Sequence, residues 1–124
     1  MRVSILGTEY EIKITSTGED DFFEENPEVD GYCDSSSKTI GVKSAESMVE
    51  YQKSKGYFPV DNPHKDVVDT IRHEVIHAFM SESGLCSQST IWAHDEQLID
   101  WLVQMIPKIE EVMGDWSDEE WKNY

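Results

Sequence analysis

Two histidines four residues apart, with a glutamate directly after the first, make His73-Glu74-Val75-Ile76-His77 an HExxH pattern. On a helix, positions i and i+4 project from one face about 5–6 Å apart, so both imidazoles can reach a single zinc ion. The glutamate points beside that face, where its carboxylate can take a proton from an activated water. The chemistry implied is metal-assisted hydrolysis with Glu74 as general base. Zinc in catalytic sites usually takes three protein ligands plus water. A third histidine six residues after His77 is absent, because position 83 is Ser. The other solution is an acid from a following helix, and Asp95-Glu96-Gln97-Leu98-Ile99-Asp100 offers one. Glu96 is the favoured third ligand. Asp100, one turn further along the same face, can accept the N–H of His73 and fix its tautomer. His94 is the rival ligand: its imidazole is a good donor, but it sits at the helix start without a companion carboxylate.

The elements that must hold these residues can be read from period and punctuation. Asn62 suits an N-cap and Pro63 the first helical position. Val67, Val68, Ile71, Val75, Ile76 and Phe79 recur at helical spacing up to Gly84, a C-terminal stop. After a Ser-rich connection, Leu98, Ile99, Leu102, Met105 and Ile106 predict a second helix from about Trp92 to Ile106, kinked or ended by Pro107. Upstream, residues 2–15 predict a β-hairpin turning at Gly7-Thr8, with Val3, Ile5, Tyr10, Ile12 and Ile14 alternating with polar neighbours. Residues 16–30 predict an acidic loop pinned to the core by Phe22 and Phe23. Two further strands are expected at 31–34 and 38–42, with a Ser35-Ser36-Ser37 turn between them. A short amphipathic helix is expected at 44–56, with a loop at Pro59. The fold class is α+β: a short antiparallel or mixed sheet packed on the HExxH helix and a following ligand helix. One domain spans 1–124, mainly β over 1–43, mainly helical over 44–110, with an acidic C-terminal segment over 111–124 containing Trp116 and Trp121.

Composition narrows the function classes. With 26 acidic against 10 basic side chains the formal charge is −16, which repels phosphate backbones and argues against nucleic acid as a partner. Four Trp, five Tyr and four Phe supply bulky packing groups and favour a folded domain over a disordered chain. Cys33 and Cys86 match no CxxC spacing and are expected as reduced thiols of a cytoplasmic protein. The apolar run at the N-terminus ends too soon for a signal peptide, and no stretch approaches the ~20 apolar residues of a membrane span.

The chain resembles the small zincin-like proteins encoded by phages and prophages of Firmicutes, relatives of the minimal gluzincins that include ImmA/IrrE-type peptidases. The residues carrying the resemblance are Asp30-Gly31-Tyr32-Cys33-Asp34 with Lys38-Thr39-Ile40, then Ile71 to Phe79 with Glu82-Ser83-Gly84-Leu85, and Asp95-Glu96 through Asp100-Trp101-Leu102 to Pro107-Lys108. In ImmA-like members a ligand glutamate precedes a proline by eleven positions, the interval from Glu96 to Pro107. The resemblance implies a zincin-like fold, a strand-edge groove beside the HExxH helix and, in active relatives, peptide-bond hydrolysis of a host or phage protein. ImmA-like proteins are usually longer and carry further domains, so their repressor-cleaving role does not transfer. The strand around Tyr32 to Val42 is the expected peptide-binding edge. Tyr32, Tyr57, His64 and His94 are all of the right chemistry to stabilise an oxyanion. Two other readings stand beside a zinc peptidase: a zinc-stabilised protein-binding module without catalysis, and an acidic mimic of DNA.

Overall fold

A computed structural model describes residues 1–58, 61–88 and 91–114. The chain opens with a hairpin of β1 (Arg2–Ile5) and β2 (Thr8–Thr15), in which Ile5 pairs with Thr8. The turn is therefore Leu6-Gly7 rather than Gly7-Thr8. Both residues have positive φ, 51° and 86°, the backbone that suits the right-handed twist of a two-residue hairpin. Tyr10 and Ile12 are buried as the alternation predicts, whereas Ile14 is exposed near the strand end.

The segment 16–30 is not a plain loop. After a 3-10 turn at Thr17–Glu19, the Asp20 carboxylate accepts the backbone N–H of Phe22 and starts a one-turn helix, α1 (Asp21–Glu25). Phe23 is fully buried and does pin the segment, while Phe22 lies at its edge. The chain then forms β3 (Gly31–Asp34) and β4 (Thr39–Lys43), an antiparallel pair. β4 also runs parallel to β2, so the sheet is mixed, in the order β1-β2-β4-β3. The expected binding edge from Tyr32 to Val42 is thereby divided. β4 is interior, paired on both sides, and of the two strands β3 alone lies at an edge of the sheet.

Lys43 ends β4 with its side chain buried. Its ammonium donates to the Pro27 carbonyl and lies 5.7 Å from the Phe23 ring centre and 5.0 Å from that of Tyr51. Burial holds its pKa below the usual lysine value, opposed by Asp30 and Glu28. This one side chain ties β4 to the acidic segment and to α2 (Ala45–Ser54), whose N-cap is Ser44.

The long helix α3 (Pro63–Glu82) has the expected punctuation. The Asn62 side chain accepts the N–H of Lys65, Pro63 occupies the first turn, and Gly84 sits at φ 86° just beyond the end. One flank of α3 packs on the sheet through Val67, Ile71, Val75 and Ala78, joining Ile5, Tyr10, Ile12, Ile40, Val42 and Met48. Another flank meets α4 (Glu96–Met113) through Met80 and Ile76 against Ile99 and Leu102. Val68 and Phe79, expected on the packed face, remain partly exposed. The last turn of α3 is fastened by Glu82, whose carboxylate accepts from Tyr10 Oη at 2.7 Å, Thr8 Oγ1 at 3.2 Å and Lys38 Nζ at 2.7 Å.

Helix α4 departs from expectation at both ends. Trp92 lies in a 3-10 turn (Ile91–His94), and the helix begins after Asp95, which caps the N–H groups of Gln97 and Leu98. Pro107 does not end it, and the helix continues to Met113. A proline removes one N–H from the ladder, but the six residues that follow, Lys108 to Met113, contain no further breaker and several strong helix formers. Gly114, at φ 65°, stops it. The expected boundary at 110–111 moves accordingly. Pro59, Ser89, Trp116, Trp121 and the acidic tail from 115 onward lie outside the described residues. Among those described, no helix is long and apolar enough to cross a membrane.

Lys43 gives a direct test of how the acidic segment is held. Lys43→Ala removes both the stem that packs between the two rings and the charged head, and should lower stability by about 2–4 kcal/mol in urea denaturation. Lys43→Met keeps most of the stem and should recover more than half of that loss. Equal losses in the two variants would show that the ammonium, not the packing, holds the segment.

Candidate metal centre

His73 and His77 sit one turn apart on α3, and Glu96 is the first residue of α4. The packing of α4 on α3 brings these three side chains to one point. Their donor atoms all lie within 4.8 Å of one another and could hold a metal ion. His73 Nε2 is 2.8 Å from Glu96 Oε2, His77 Nε2 is 3.1 Å from Glu96 Oε1, and the two Nε2 atoms are 3.1 Å apart. Donors around a tetrahedral ion with bonds of about 2.0–2.1 Å stand roughly 3.3 Å apart. The group is therefore a few tenths of an ångström tighter than a loaded site and of the right shape.

The protons make the same point. His73 Nδ1 is 2.8 Å from Asp100 Oδ1, so the ring donates its Nδ1–H there and turns the lone pair of Nε2 inward. That lone pair faces a carboxylate oxygen and a second imidazole nitrogen. Three electron-rich atoms at these separations need a cation among them, either a proton or a metal. Burial, ahead of all other influences, holds the pKa of His77 below the ordinary histidine value, and the charge of Glu96 opposes it. A neutral imidazole is the form that ligates. Both histidines are largely enclosed, with side chains 18% and 23% exposed, whereas Glu96 reaches in from the solvent side.

Glu74 occupies the adjacent position and is only 6% exposed. Among the described residues no hydrogen-bond donor reaches its carboxylate. Burial pushes its pKa up to about 7, with His73 pulling it down and Glu96 pushing it further up. A base poised near neutrality is matched to proton transfer. Its side chain lies beneath β3. A Cβ at Gly31 would come within 2.6 Å of Thr70 Cγ2 and 3.3 Å of Glu74 Cγ, so glycine is what lets the edge strand approach α3 this closely.

These groups line a cleft of about 800 Å³ that follows α3, with Asp30 and the edge-strand residues Gly31 to Cys33 on one side and α4 on the other. His94, at the end of the 3-10 turn, lines it but stays outside the donor group. Tyr32 also lines it, yet its hydroxyl donates to Asp20 at 2.8 Å, and burial together with that carboxylate pushes its pKa up to about 12. Tyr57 and His64 are not among the cleft residues. Both cysteines are free and line the cleft, and burial pushes Cys33 up to about 11. Sequence reasoning missed Gly31 and Thr70 as a contact, and it missed Asp66. Their signal was the helical spacing 66, 70, 73/74, 77 along one stripe of α3.

Two variants test this geometry. Gly31→Ala should lower stability and displace Glu74, and adding Thr70→Ser should restore part of the loss by removing Cγ2 while keeping the hydroxyl bonded to the Asp66 carbonyl. No rescue by Thr70→Ser would place the clash elsewhere. Glu74→Gln should stabilise the metal-free protein at pH 8. The folded chain holds the Glu74 proton up to about pH 7, whereas the ordinary pKa is 4.5. Native stability therefore falls as pH rises between those values and stays low above them. The gain in the glutamine variant should be on the order of 2 kcal/mol at pH 8 and vanish below pH 4.5. Equal melting temperatures at pH 8 would mean that the carboxylate is solvated.

Comparison with known proteins finds no matching family model, no matching curated protein and no matching solved structure.

Proposed function

We propose that the chain is a zinc-dependent peptidase whose ligands are His73, His77 and Glu96, with Glu74 as general base and Asp100 orienting His73. The observation that carries this reading is the meeting of two imidazoles and one carboxylate beside a buried, unpartnered glutamate, in a cleft bordered by an edge strand. Two nitrogens and one oxygen are the donor set of a catalytic zinc site, which keeps a position open for water or substrate. The resemblance to small zincin-like phage proteins supports the same reading, and with it a host or phage protein as substrate.

A bound zinc ion would supply Lewis-acid polarisation of a carbonyl and acidification of water. Everything else falls to the chain. The free edge of β3 offers backbone groups to an extended peptide and lays it along the cleft. Glu74, with its pKa near neutrality, takes the proton of the attacking water and passes it to the leaving amine. His94 is the one oxyanion candidate that both lines the cleft and has no hydrogen-bond or ion-pair partner among the described residues, so it is the group left to stabilise the developing charge.

Metal content and proteolysis should be measured together. The wild type should retain one zinc per chain after dialysis, and His73→Ala with His77→Ala should abolish it. Asp100→Asn should weaken zinc binding by about 10–100-fold. Glu74→Gln should keep the metal and reduce cleavage of an unfolded protein substrate by at least about 100-fold. Full proteolysis in the glutamine variant rules Glu74 out as the base. A chain that binds zinc and cuts nothing is a binding module instead.

A further inference from the structure

The backbone of β3 has a side that β4 does not use. The Asp30 carbonyl accepts the N–H of Lys43 at 2.8 Å, while the Lys38 carbonyl, at the other side of β4, accepts the N–H of Glu11. Odd-numbered residues of β4 therefore bond β3, and even-numbered ones bond β2. Bonded positions alternate along an antiparallel pair. Tyr32 opposite Gly41 and Asp34 opposite Thr39 are thus bonded to β4, whereas Gly31 and Cys33 turn their N–H and C=O outward. Those outward groups have no backbone partner among the described residues. Side chains alternate as well. A Cβ at Gly31 would point at Thr70 and Glu74, and Cys33 packs with the core beneath the sheet. Tyr32 takes the other face, where its ring lies against Gly41 and a Cβ on that glycine would overlap it.

On that face is a hollow of about 590 Å³, lined by Phe22, Tyr32, Cys33, Asp34, Ser35 and Ser36. The Phe22 and Tyr32 ring centres are 4.8 Å apart. Tyr32 is held by Gly41 beneath its ring and by the bond from its hydroxyl to Asp20. The Phe22 side chain has no comparable task, because Phe23 alone is buried and fastens the segment, and Phe22 stays 38% exposed. The carboxylates beside the hollow are committed. Asp20 accepts from Phe22 N–H and Tyr32 Oη, and Asp34 accepts from Ser36 and Ser37. What the hollow offers a ligand is ring surface. It is continuous with the cleft, since Tyr32, Cys33 and Ser35 line both.

A peptide strand added to β3 would bond Gly31 and Cys33 and set one residue opposite Tyr32, between those contacts. Opposed residues on neighbouring strands share a face of the sheet. The side chain of that residue therefore leaves the cleft and projects beside Phe22, while its two neighbours point toward α3 and the donor group. The geometry points to a specificity subsite, formed by Phe22 and Tyr32, that takes an aromatic or large aliphatic side chain of the bound peptide. This inference rests on the peptide-binding reading of the cleft and adds to it a substrate class, peptides with a bulky apolar residue at one fixed register.

The test uses the zinc-loaded Glu74→Gln chain and short fluorescein-labelled Ala/Thr peptides in which one phenylalanine is walked along the sequence, with alanine and lysine as its matches. Binding is read by anisotropy. At one register phenylalanine should bind about tenfold more tightly than alanine, and Phe22→Ala should erase most of that gain. Ile109→Ala, which trims an exposed side chain of α4, should leave it intact. Phe22→Glu keeps Phe23 in the core and should transfer the preference at that register from phenylalanine to lysine, an exchange that a purely structural role of Phe22 would not produce. The subsite is overturned if no register shows a gain that depends on Phe22, or if Ile109→Ala removes the gain equally. Cleavage of the same peptides by the wild type separates the two proposals. A Phe22-dependent preference in binding without cleavage keeps the subsite and removes the peptidase. Cleavage indifferent to phenylalanine at every register keeps the peptidase and removes the subsite.

Discussion

Helix α3 has to satisfy three neighbours at once. Its sheet-facing flank carries Val67, Ile71, Val75 and Ala78, and its α4-facing flank carries Ile76 and Met80. What remains between them is a polar stripe, and both histidines fall on it. A helix that buried only one face would leave its polar side to water. A helix gripped on two sides presents that stripe to the floor of a cleft, where β3 and α4 form the walls. The close approach of β3, possible only because Gly31 has no side chain, completes the enclosure and sets how dry Glu74 becomes. The pKa of Glu74 therefore depends on how closely the backbone of the neighbouring strand β3 packs on α3.

The donor group shows how far this enclosure is paid for elsewhere in the fold. Gathering two largely enclosed imidazoles and a solvent-exposed carboxylate around facing lone pairs opposes folding unless a cation joins them. The compensation lies outside the site. Glu82 fastens the last turn of α3 to the hairpin and to Lys38. Asp95 caps α4 so that Glu96 leaves the first turn in a fixed direction. Asp100 then removes the remaining freedom of the His73 ring. The Asp95 cap is local, whereas the bonds of Glu82 and Asp100 join residues far apart in the chain, and together they hold three donors within a few tenths of an ångström of a metal geometry.

Much of this was legible in the sequence, for identifiable reasons. The HExxH spacing, the Asn62-Pro63 start and the Gly84 stop are short-range signals, and α3 follows them closely. The pairing of Glu96 with Asp100 is also local, an i, i+4 relation that set one carboxylate against both histidines and the other against His73 once α4 docked. Long-range pairing was not legible. Nothing in residues 8–15 or 39–43 says that these strands run parallel, which makes β3 the edge and β4 interior. Asp95 was read as part of a ligand motif, although its capping role is what sets the start of α4. Nothing in the sequence around Lys43 marks it as buried. Its burial depends on Phe23 and Tyr51 arriving from two separate elements. Pro107 is a breaker signal that predicts a kink or an end, whereas the residues after it keep the helix running to Met113.

The excess of acid over base acts on two length scales that should be kept apart. A charge of −16 spread over a small domain draws cations and basic chains toward every face of it. At physiological salt that attraction fades within about 8 Å of the surface and discriminates little. Inside the cleft the acids differ in their contact with water: Asp30 is exposed and Asp66 half-buried, whereas Glu74 is buried. A charge that discriminates has to sit on a carboxylate that the fold withdraws from solvent and leaves without a partner, and Glu74 is such a group. The Asp69 carboxylate, a short way along the same helix, lines the cleft too, but Lys65, Arg72 and Gln104 already occupy it. That difference in commitment, more than the count of acids, separates a solvated rim from a surface able to choose what enters.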